Sequence, residues 1–365
     1  MGSVQKRVRA GTTSWLARWR DPAGRQRKRS FTRRLDAERF LATVAADLVH
    51  GSYVDPNDPT TFRDYAEDWR AAQVHRPTTQ AHVETNLRRH AYPTFGHRRL
   101  GTIRPSEVQA WVTGLSRVLS PATVQVIHGI VAAIFKVALR DRLVSTSPCE
   151  GTKLPKKLPV EITPLATATV TALIDAVPER YRALVVLAAG TGLRQGECFG
   201  VVDERLDLDR QTLRVEQQLI LLPRREPFLA PPKTSASHRT VPLPDVVMEA
   251  LREHLRRFPV THPERLVFTD EDGRALRRTA FSREIWRPVV AATGARRGTG
   301  FHELRHYYAS LLIRHGESIK TVQRRLGHAT AAETLDTYAH LWPDSDDRTR
   351  EAIDSILGST TERHI

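Results

Sequence analysis

The sequence predicts a multidomain fold: a small α+β module, then an all-α module, then a larger mixed α/β module that is mainly helical. Three observations predict it. Hydrophobic periodicity changes from strand-like alternation before Phe31 to helical runs over residues 60–147. A stretch without period, CEGTKLPKKLPVEITP from Cys149 to Pro164, holds three lysines and three prolines and reads as an extended interdomain linker. Charge is uneven as well: of a formal net +15, fourteen lie in the first 160 of the 365 residues, which makes the first two modules the basic ones.

In the first module, SWLARWR (Ser14 to Arg20) alternates apolar and polar residues, DPAGR is turn chemistry, and RQRKRSF returns as a second strand. VQKRVRA supplies a third. DAERFLATVAADLV then reads as an amphipathic helix behind a capping Asp36. A small basic sheet can lay side chains in a major groove, which makes Arg18, Arg20, Arg27, Lys28 and Arg29 candidate DNA contacts. The plainer alternative is a β-hairpin with exposed arginines.

The second module carries four helical runs, FRDYAEDWRAAQV, TTQAHVETNLRRHAY, PSEVQAWVTGL and PATVQVIHGIVAAIFKVALRD, with N-caps expected near Thr61, Thr78, Ser106 and Ser120. Arg88 and Arg89, with Arg98, Arg99 and Arg104 close by, form a cluster suited to phosphate contact. The third module mixes helices with strands at about Leu213 to Leu222 and His238 to Pro242, and a last helix is expected around Asp344 to Leu357.

The basic balance, with pI about 10.4, points to a polyanionic partner, nucleic acid before membrane. The longest fully apolar run, Ala183 to Ala189, is far short of the roughly 20 residues of a spanning helix. The opening MGSVQKRVRA has no apolar signal core, so the expected setting is the cytoplasm, at the bacterial nucleoid. Two cysteines, Cys149 and Cys198, cannot build a disulfide framework or a Cys-rich zinc site and are expected to be plain thiols.

FHELRHYYAS contains a literal H-E-x-x-H, His302 to His306, the form of a zinc metalloprotease signature. His302 and His306 do share a helical face, but Arg305 lies on nearly the same face, next to where a dication would sit. The downstream H-x-x-G-x-x-H continuation is absent. Read instead as H-x-x-R, the stretch sets His302 and Arg305 one helical turn apart, an imidazole beside a permanent cation, which suits an anionic phosphodiester. Further motifs stand at TGLRQGE (Thr191 to Glu197), PPKTSASHRTVPL (Pro231 to Leu243) and RRLGHATAAETLDTYAH (Arg324 to His340).

With these motifs in this order, the chain resembles the tyrosine site-specific recombinases, or phage-type integrases, over essentially its whole length. The resemblance makes Arg194, in T-G-L-R, the first family arginine with Glu197 as its supporting acid. Lys233 matches the mobile lysine, His302 and Arg305 match H-x-L-R, His328 matches L-G-H, and Tyr338 stands ten residues later where the nucleophile belongs. One departure is visible: after GECFG the family continues with a Leu-x-Trp-x-Asp stretch, and here VVDERLDLD lacks the tryptophan.

Physical chemistry supports each role separately. Arg194 and Arg305 can grip two non-bridging phosphate oxygens with planar, always-charged forks. His302 and His328 can add hydrogen bonds, and His302 can assist proton removal from the attacking phenol. A general acid must release its proton, which a perturbed lysine does and arginine does not. In a chain with 48 arginines and 8 lysines, Lys233 is therefore an uncommon choice. Glu197, three residues after Arg194, orients the site. A phosphotyrosyl ester at Tyr338 would conserve bond energy, so neither ATP nor metal is expected, in keeping with the lack of a P-loop motif.

By the same resemblance, residues 1–58 form an arm-type DNA-binding domain, 59–148 a helical, SAM-like core-binding domain, 149–163 a linker and 164–365 the catalytic domain. The implied function is that of an integrase of a phage or integrative mobile element. It would cleave and rejoin double-stranded attachment sites as a homotetramer through a Holliday junction. A DNA-bending protein and an excisionase are the further partners such a system can draw on, with no membrane partner. Two rival classes account for less: a non-catalytic DNA-binding regulator leaves the Arg, Lys, His, Arg, His, Tyr series without a purpose, and a metal-dependent hydrolase explains His302 and His306 alone.

Overall fold

Alternation in the first thirty residues becomes an antiparallel sheet of β1 (Ser3–Arg9), β2 (Thr12–Arg20) and β3 (Gln26–Phe31), with β2 in the centre. Helix α1 (Arg34–Val49) packs across one face. There Trp19 meets Phe40 edge-on, with ring centroids 5.1 Å apart, and donates from Nε1 to the Tyr53 hydroxyl at 2.8 Å. The start of α1 corrects the sequence reading. Asp36 lies inside the first turn rather than capping it; the N-cap is Arg33, and Asp36 instead places a negative charge against the positive helix end.

The molecule is described here from a computed structural model, which defines all residues except 1, 10–11, 23, 56, 159–160, 343–349, 352 and 358–365. Much of the helix expected from Asp344 to Leu357 thus lies outside the described residues. The chain divides into two compact units, Met1–Leu158 and Pro159–Ile365.

The rest of the first unit is helical: α2 (Phe62–Ala72), α3 (Pro77–Asn86), which continues through a π-helical turn at Leu87–Ala91 into α4 (Tyr92–Phe95), then α5 (Pro105–Ser116) and α6 (Pro121–Arg140). Thr61 and Ser120 cap α2 and α6 through their side chains. Thr78 and Ser106 do not cap: α3 and α5 start at Pro77 and Pro105, because proline at the first helical position has its φ preset and no N–H to lose. By length and composition α6 is apolar enough to cross a membrane, alone among the described helices. Its inner face, Val124, Ile127, Val131, Ile134 and Phe135, is buried in the helical core, where Phe62 stacks on Phe135 with centroids 5.6 Å apart. Each such burial contributes about 1.5–3 kcal/mol. The linker is partly tied down: Gln109 exchanges two hydrogen bonds with the Lys153 backbone, and Gln125 donates to the Pro155 carbonyl.

The second unit begins with α7 (Thr167–Ala176), α8 (Glu179–Thr191) and α9 (Gln195–Phe199). Strands β4 (Leu206–Asp207), β5 (Thr212–Val215), β6 (Gln218–Ile220), β7 (Phe228–Ala230) and β8 (Arg239–Pro242) follow. After them come α10 (Asp245–Arg257), α11 (Arg278–Ala280), α12 (Arg287–Ala292), α13 (Glu303–Arg314), α14 (Ile319–Leu326) and α15 (Ala331–Tyr338). α8 is buried along most of its length and is the centre of this core. One strand was expected from Leu213 to Leu222; two form. β5 pairs with β4 and β8, whereas β6 pairs with β7 and lies against α9. Gly200 permits that approach, since a Cβ there would stand 2.7 Å from the Leu219 nitrogen. In the stretch that lacks the family tryptophan, Val201 and Val202 are buried in the core, and Asp203, third after GECFG where the tryptophan would stand, pairs with Arg265. Both cysteines are buried free thiols, and burial pushes Cys149 up to about 12.

Candidate catalytic site

α8 ends at Gly192, whose positive φ of 64° closes the helix and whose missing side chain makes room for Tyr308, 2.4 Å from where a Cβ would be. The chain then turns so that Arg194 becomes the N-cap of α9, with Glu197 in the first turn. Glu197, buried at 3% exposure, accepts from the Arg194 backbone N–H at 2.9 Å and from Arg194 Nη1 at 2.9 Å. It also accepts from Arg239 Nη2 at 2.9 Å and Nη1 at 3.2 Å. Burial alone would raise this carboxyl group; the Arg239 hydrogen bond and the charges of Arg239 and Arg194 outweigh it and hold the group below the ordinary carboxylate range.

Three arginines converge on three successive carbonyls at the C-terminus of α14. Arg239 Nε donates to Arg325 O at 2.8 Å, Arg305 Nη2 to Leu326 O at 2.8 Å, and Arg194 Nη2 to Gly327 O at 3.0 Å. These are the otherwise unpaired groups at the negative helix end, so cations are favoured there. Arg305 also donates to Gly192 O at 2.7 Å, which fixes its fork from two sides. At 2% exposure, with Arg194 nearby, its guanidinium is pulled down to about 9 and is still a cation at neutral pH.

Gly327 takes a φ of 66°, and the chain continues into His328 and then α15, capped by Thr330. α15 ends at Tyr338, which is 1% exposed. Its hydroxyl lies 2.8 Å from His306 Nδ1, and its ring is within 11° of parallel to His328 at 6.4 Å. His328 Nδ1 is engaged by Thr334 Oγ1 at 2.8 Å. His302, at the N-cap of α13, is exposed, with its ring edge-on to His306 at 4.9 Å. Desolvation and neighbouring cations lower the two enclosed imidazoles, His306 to about 4 and His328 to about 3, so both are neutral at pH 7. Burial pushes Tyr338 up to about 12, so the phenol keeps its proton.

The fold therefore gathers Arg194, Glu197, His302, Arg305, His328 and Tyr338 into one region of the second unit. Lys233 stands apart from this network, exposed on the connection from β7 to β8, four residues before Ser237, which accepts a hydrogen bond from Arg194 Nη1. Among the described residues no group of three or more His, Cys, Asp or Glu side chains is arranged to hold a metal ion. Sequence reasoning missed two members of the site. Arg239 shares strand parity with the buried Val241, so the pattern implied an inward-facing arginine in need of an acid. His306 reads in the sequence as half of a zinc motif and as the histidine that commonly follows this arginine in the resembled family, with no role of its own, although it shares a helical face with His302.

The N-terminal candidates divide by strand register. Arg18 is opposite Lys28 and Arg20 opposite Gln26, on the sheet face away from α1, which also carries Arg7. Arg27 and Arg29 pair with Trp19 and Ala17 and so take the α1 face, opposite to that of Arg18, Arg20 and Lys28. Arg27 is held by Asp21 at 3.0 Å and Asp55 at 2.7 Å, and Arg29 lies over the rings of Phe31 and Phe40. In the helical region Arg88 and Arg89 are exposed at the π-helical turn, with Arg88 paired to Glu84. Arg98 is paired to Glu107.

Residues 164–344 match the phage integrase family and residues 62–153 the phage integrase central domain, together well over half of the chain. A putative prophage phiRv2 integrase of Mycobacterium tuberculosis is 27% identical over 340 residues, 89% of this chain and 88% of that protein. A XerC-like tyrosine recombinase of Caldanaerobacter subterraneus is 25% identical, over 85% and 86%. Among solved structures, the Tn1549 transposon integrase in complex with a circular intermediate DNA superposes with a TM-score of 0.68 at 19% identity, covering 80% of this chain and 98% of that one. The lambda integrase tetramer bound to a Holliday junction gives 0.59 at 18% identity, covering 90% and 96%.

Proposed function

The chain belongs to the phage integrase family, the tyrosine recombinases, and from that premise we propose that it cleaves and rejoins double-stranded DNA through a 3′-phosphotyrosyl bond at Tyr338. The observation that carries this reading is the convergence of Arg194, Arg305, His328 and Tyr338 around the C-terminus of α14. Arg194 and Arg305 bind the non-bridging oxygens of the scissile phosphate, and in a buried site each is worth about 10² to 10³ in rate. His302 and His328 add hydrogen bonds, Glu197 orients Arg194, and Lys233 on its exposed loop protonates the leaving 5′ oxygen. Neither metal nor ATP takes part, because the ester keeps the energy of the broken bond.

Residues 1–58 serve as an arm-binding domain, 59–148 as the core-binding domain and 164–365 as the catalytic domain, joined by 149–163. Arg18, Arg20 and Lys28 contact DNA from the open sheet face, and Arg88 and Arg89 contact phosphates. The active species is a homotetramer on two attachment sites, passing through a Holliday junction in the cytoplasm of the host of a phage or integrative element, with a bending protein or excisionase as accessory.

The test is covalent capture. The protein is incubated in EDTA with DNA flanking its own gene, built as a nicked suicide substrate, and denatured in SDS. A DNA-linked band is expected with the unaltered chain and none with Tyr338→Phe, while both bind the DNA. A band persisting in Tyr338→Phe rules out this nucleophile.

A further inference from the structure

A buried phenol that keeps its proton needs an acceptor, and the three histidines near Tyr338 are not equivalent candidates. His302 stands at the exposed N-cap of α13, and among the described residues it makes no hydrogen bond to the phenol. His328 lies parallel to the tyrosine ring with its Nδ1 engaged by Thr334. His306 Nδ1 is 2.8 Å from the Tyr338 oxygen, a direct hydrogen-bonding distance. Both partners are anchored: His306 follows Arg305, whose fork is fixed by Gly192 and Leu326, and Tyr338 ends a helix capped by Thr330.

We propose that His306 is a catalytic residue of strand cleavage, with Nδ1 accepting the phenol proton as Tyr338 attacks phosphorus. The proposal rests on Tyr338 being the nucleophile. The phenol O–H bond breaks and its proton passes to Nδ1 while the Tyr338 oxygen forms its bond to phosphorus. The bond from phosphorus to the 5′ oxygen breaks, its electron pair leaves with that oxygen, and a separate acid, Lys233 in the reading above, protonates it. Religation reverses each transfer. In the DNA-free chain burial and Arg305 keep His306 neutral, so with the hydrogen on Nε2 the Nδ1 lone pair faces the phenol. An arriving phosphate offsets that arginine, and the proton affinity of His306 rises when the proton must move.

The test uses the full-length chain and the nicked duplexes described above, with either an ordinary scissile phosphodiester or a 5′-bridging phosphorothiolate, whose sulfur leaves without an acid. His306→Asn retains an oxygen acceptor near the position of Nδ1 but cannot take up a proton; His306→Ala removes both properties. Both variants are expected to bind DNA normally and to cleave both substrates about 10²- to 10⁴-fold more slowly, the range for loss of a general base. Lys233→Ala is expected to regain rate on the phosphorothiolate. Unaltered cleavage by His306→Asn would leave His306 a positioning residue, and rescue of either His306 variant by the sulfur leaving group would place it on the acid side; either result overturns the proposal. If His306→Ala fails to fold, His306→Asn decides alone. A covalent band in Tyr338→Phe is a separate failure, that of the nucleophile assignment.

Discussion

Arg27 in the N-terminal sheet and Arg305 in the C-terminal unit are both largely enclosed by protein, but their partners differ in kind. Arg27 meets two carboxylates, Asp21 and Asp55, whereas Arg305 meets two backbone carbonyls, Gly192 and Leu326. Carboxylates cancel a guanidinium charge; carbonyl dipoles orient it and leave the charge in place. Around the candidate site this difference accumulates. Arg194 and Arg239 share a single buried carboxylate, Glu197, while Arg305 is held by carbonyls, so three guanidinium groups stand against one acid. The surplus matches a phosphodiester under attack, which gathers negative charge in the transition state, and low-dielectric surroundings strengthen the match. The value of an arginine in this chain depends on what neutralises it more than on where the sequence concentrates charge.

Arg305→Lys is the largest break in that comparison. A lysine keeps the charge but cannot span two carbonyls with a planar fork, so cleavage is expected to fall about 10²- to 10³-fold. Stability is also expected to fall, by about 1–3 kcal/mol for buried carbonyls left without partners. Suicide-substrate cleavage and thermal melting measure the two effects separately. Cleavage at the wild-type rate would mean that a point charge suffices and that carbonyl orientation contributes nothing.

Arg239→Met should have a smaller effect by a less direct route. Without Arg239, Glu197 has Arg194 as its one remaining cation and draws it away from the phosphate. Cleavage is expected to drop about 10- to 100-fold, the range for removing a supporting partner of a site residue. Adding Glu197→Gln should recover part of the loss, because a neutral amide competes less for Arg194. No recovery in the double variant would confine Arg239 to its hydrogen bond with Arg325 O.

Much of the site was legible because its members are close in sequence. Arg194 with Glu197, His302 with Arg305, and His328 with Tyr338 each lie within one or a few helical turns, so spacing nearly fixes their geometry. Arg239 was harder to see because its partner is 42 residues away in the chain, and only the fold brings β8 to α9. Helix starts at Pro77 and Pro105 are readable from the prolines, but the neighbouring hydroxyl residues Thr78 and Ser106 carry a competing capping signal. Strand parity could have sorted Arg27 and Arg29 from Lys28; counting basic residues concealed it. Lys233 is the reverse case, an uncommon lysine in a telling motif whose exposed position leaves its role to chemistry.

The smallest expected effects concern the sheet and sharpen the comparison from its other end. Binding to nonspecific duplex DNA, measured across a salt series, reports how many phosphates the protein neutralises, at about 0.9 of slope for each. Arg18→Ala, Arg20→Ala and Lys28→Ala remove charge from the open face, so each should flatten the slope by up to that amount and weaken binding. Arg27→Ala should leave the slope unchanged, because its charge is already taken by Asp21 and Asp55, and should lower the melting temperature by uncoupling those two segments. Flattening by Arg27→Ala equal to that of Lys28→Ala would mean that DNA displaces the two carboxylates, and that Arg27 in the bound state joins the arginines whose charge is left in place.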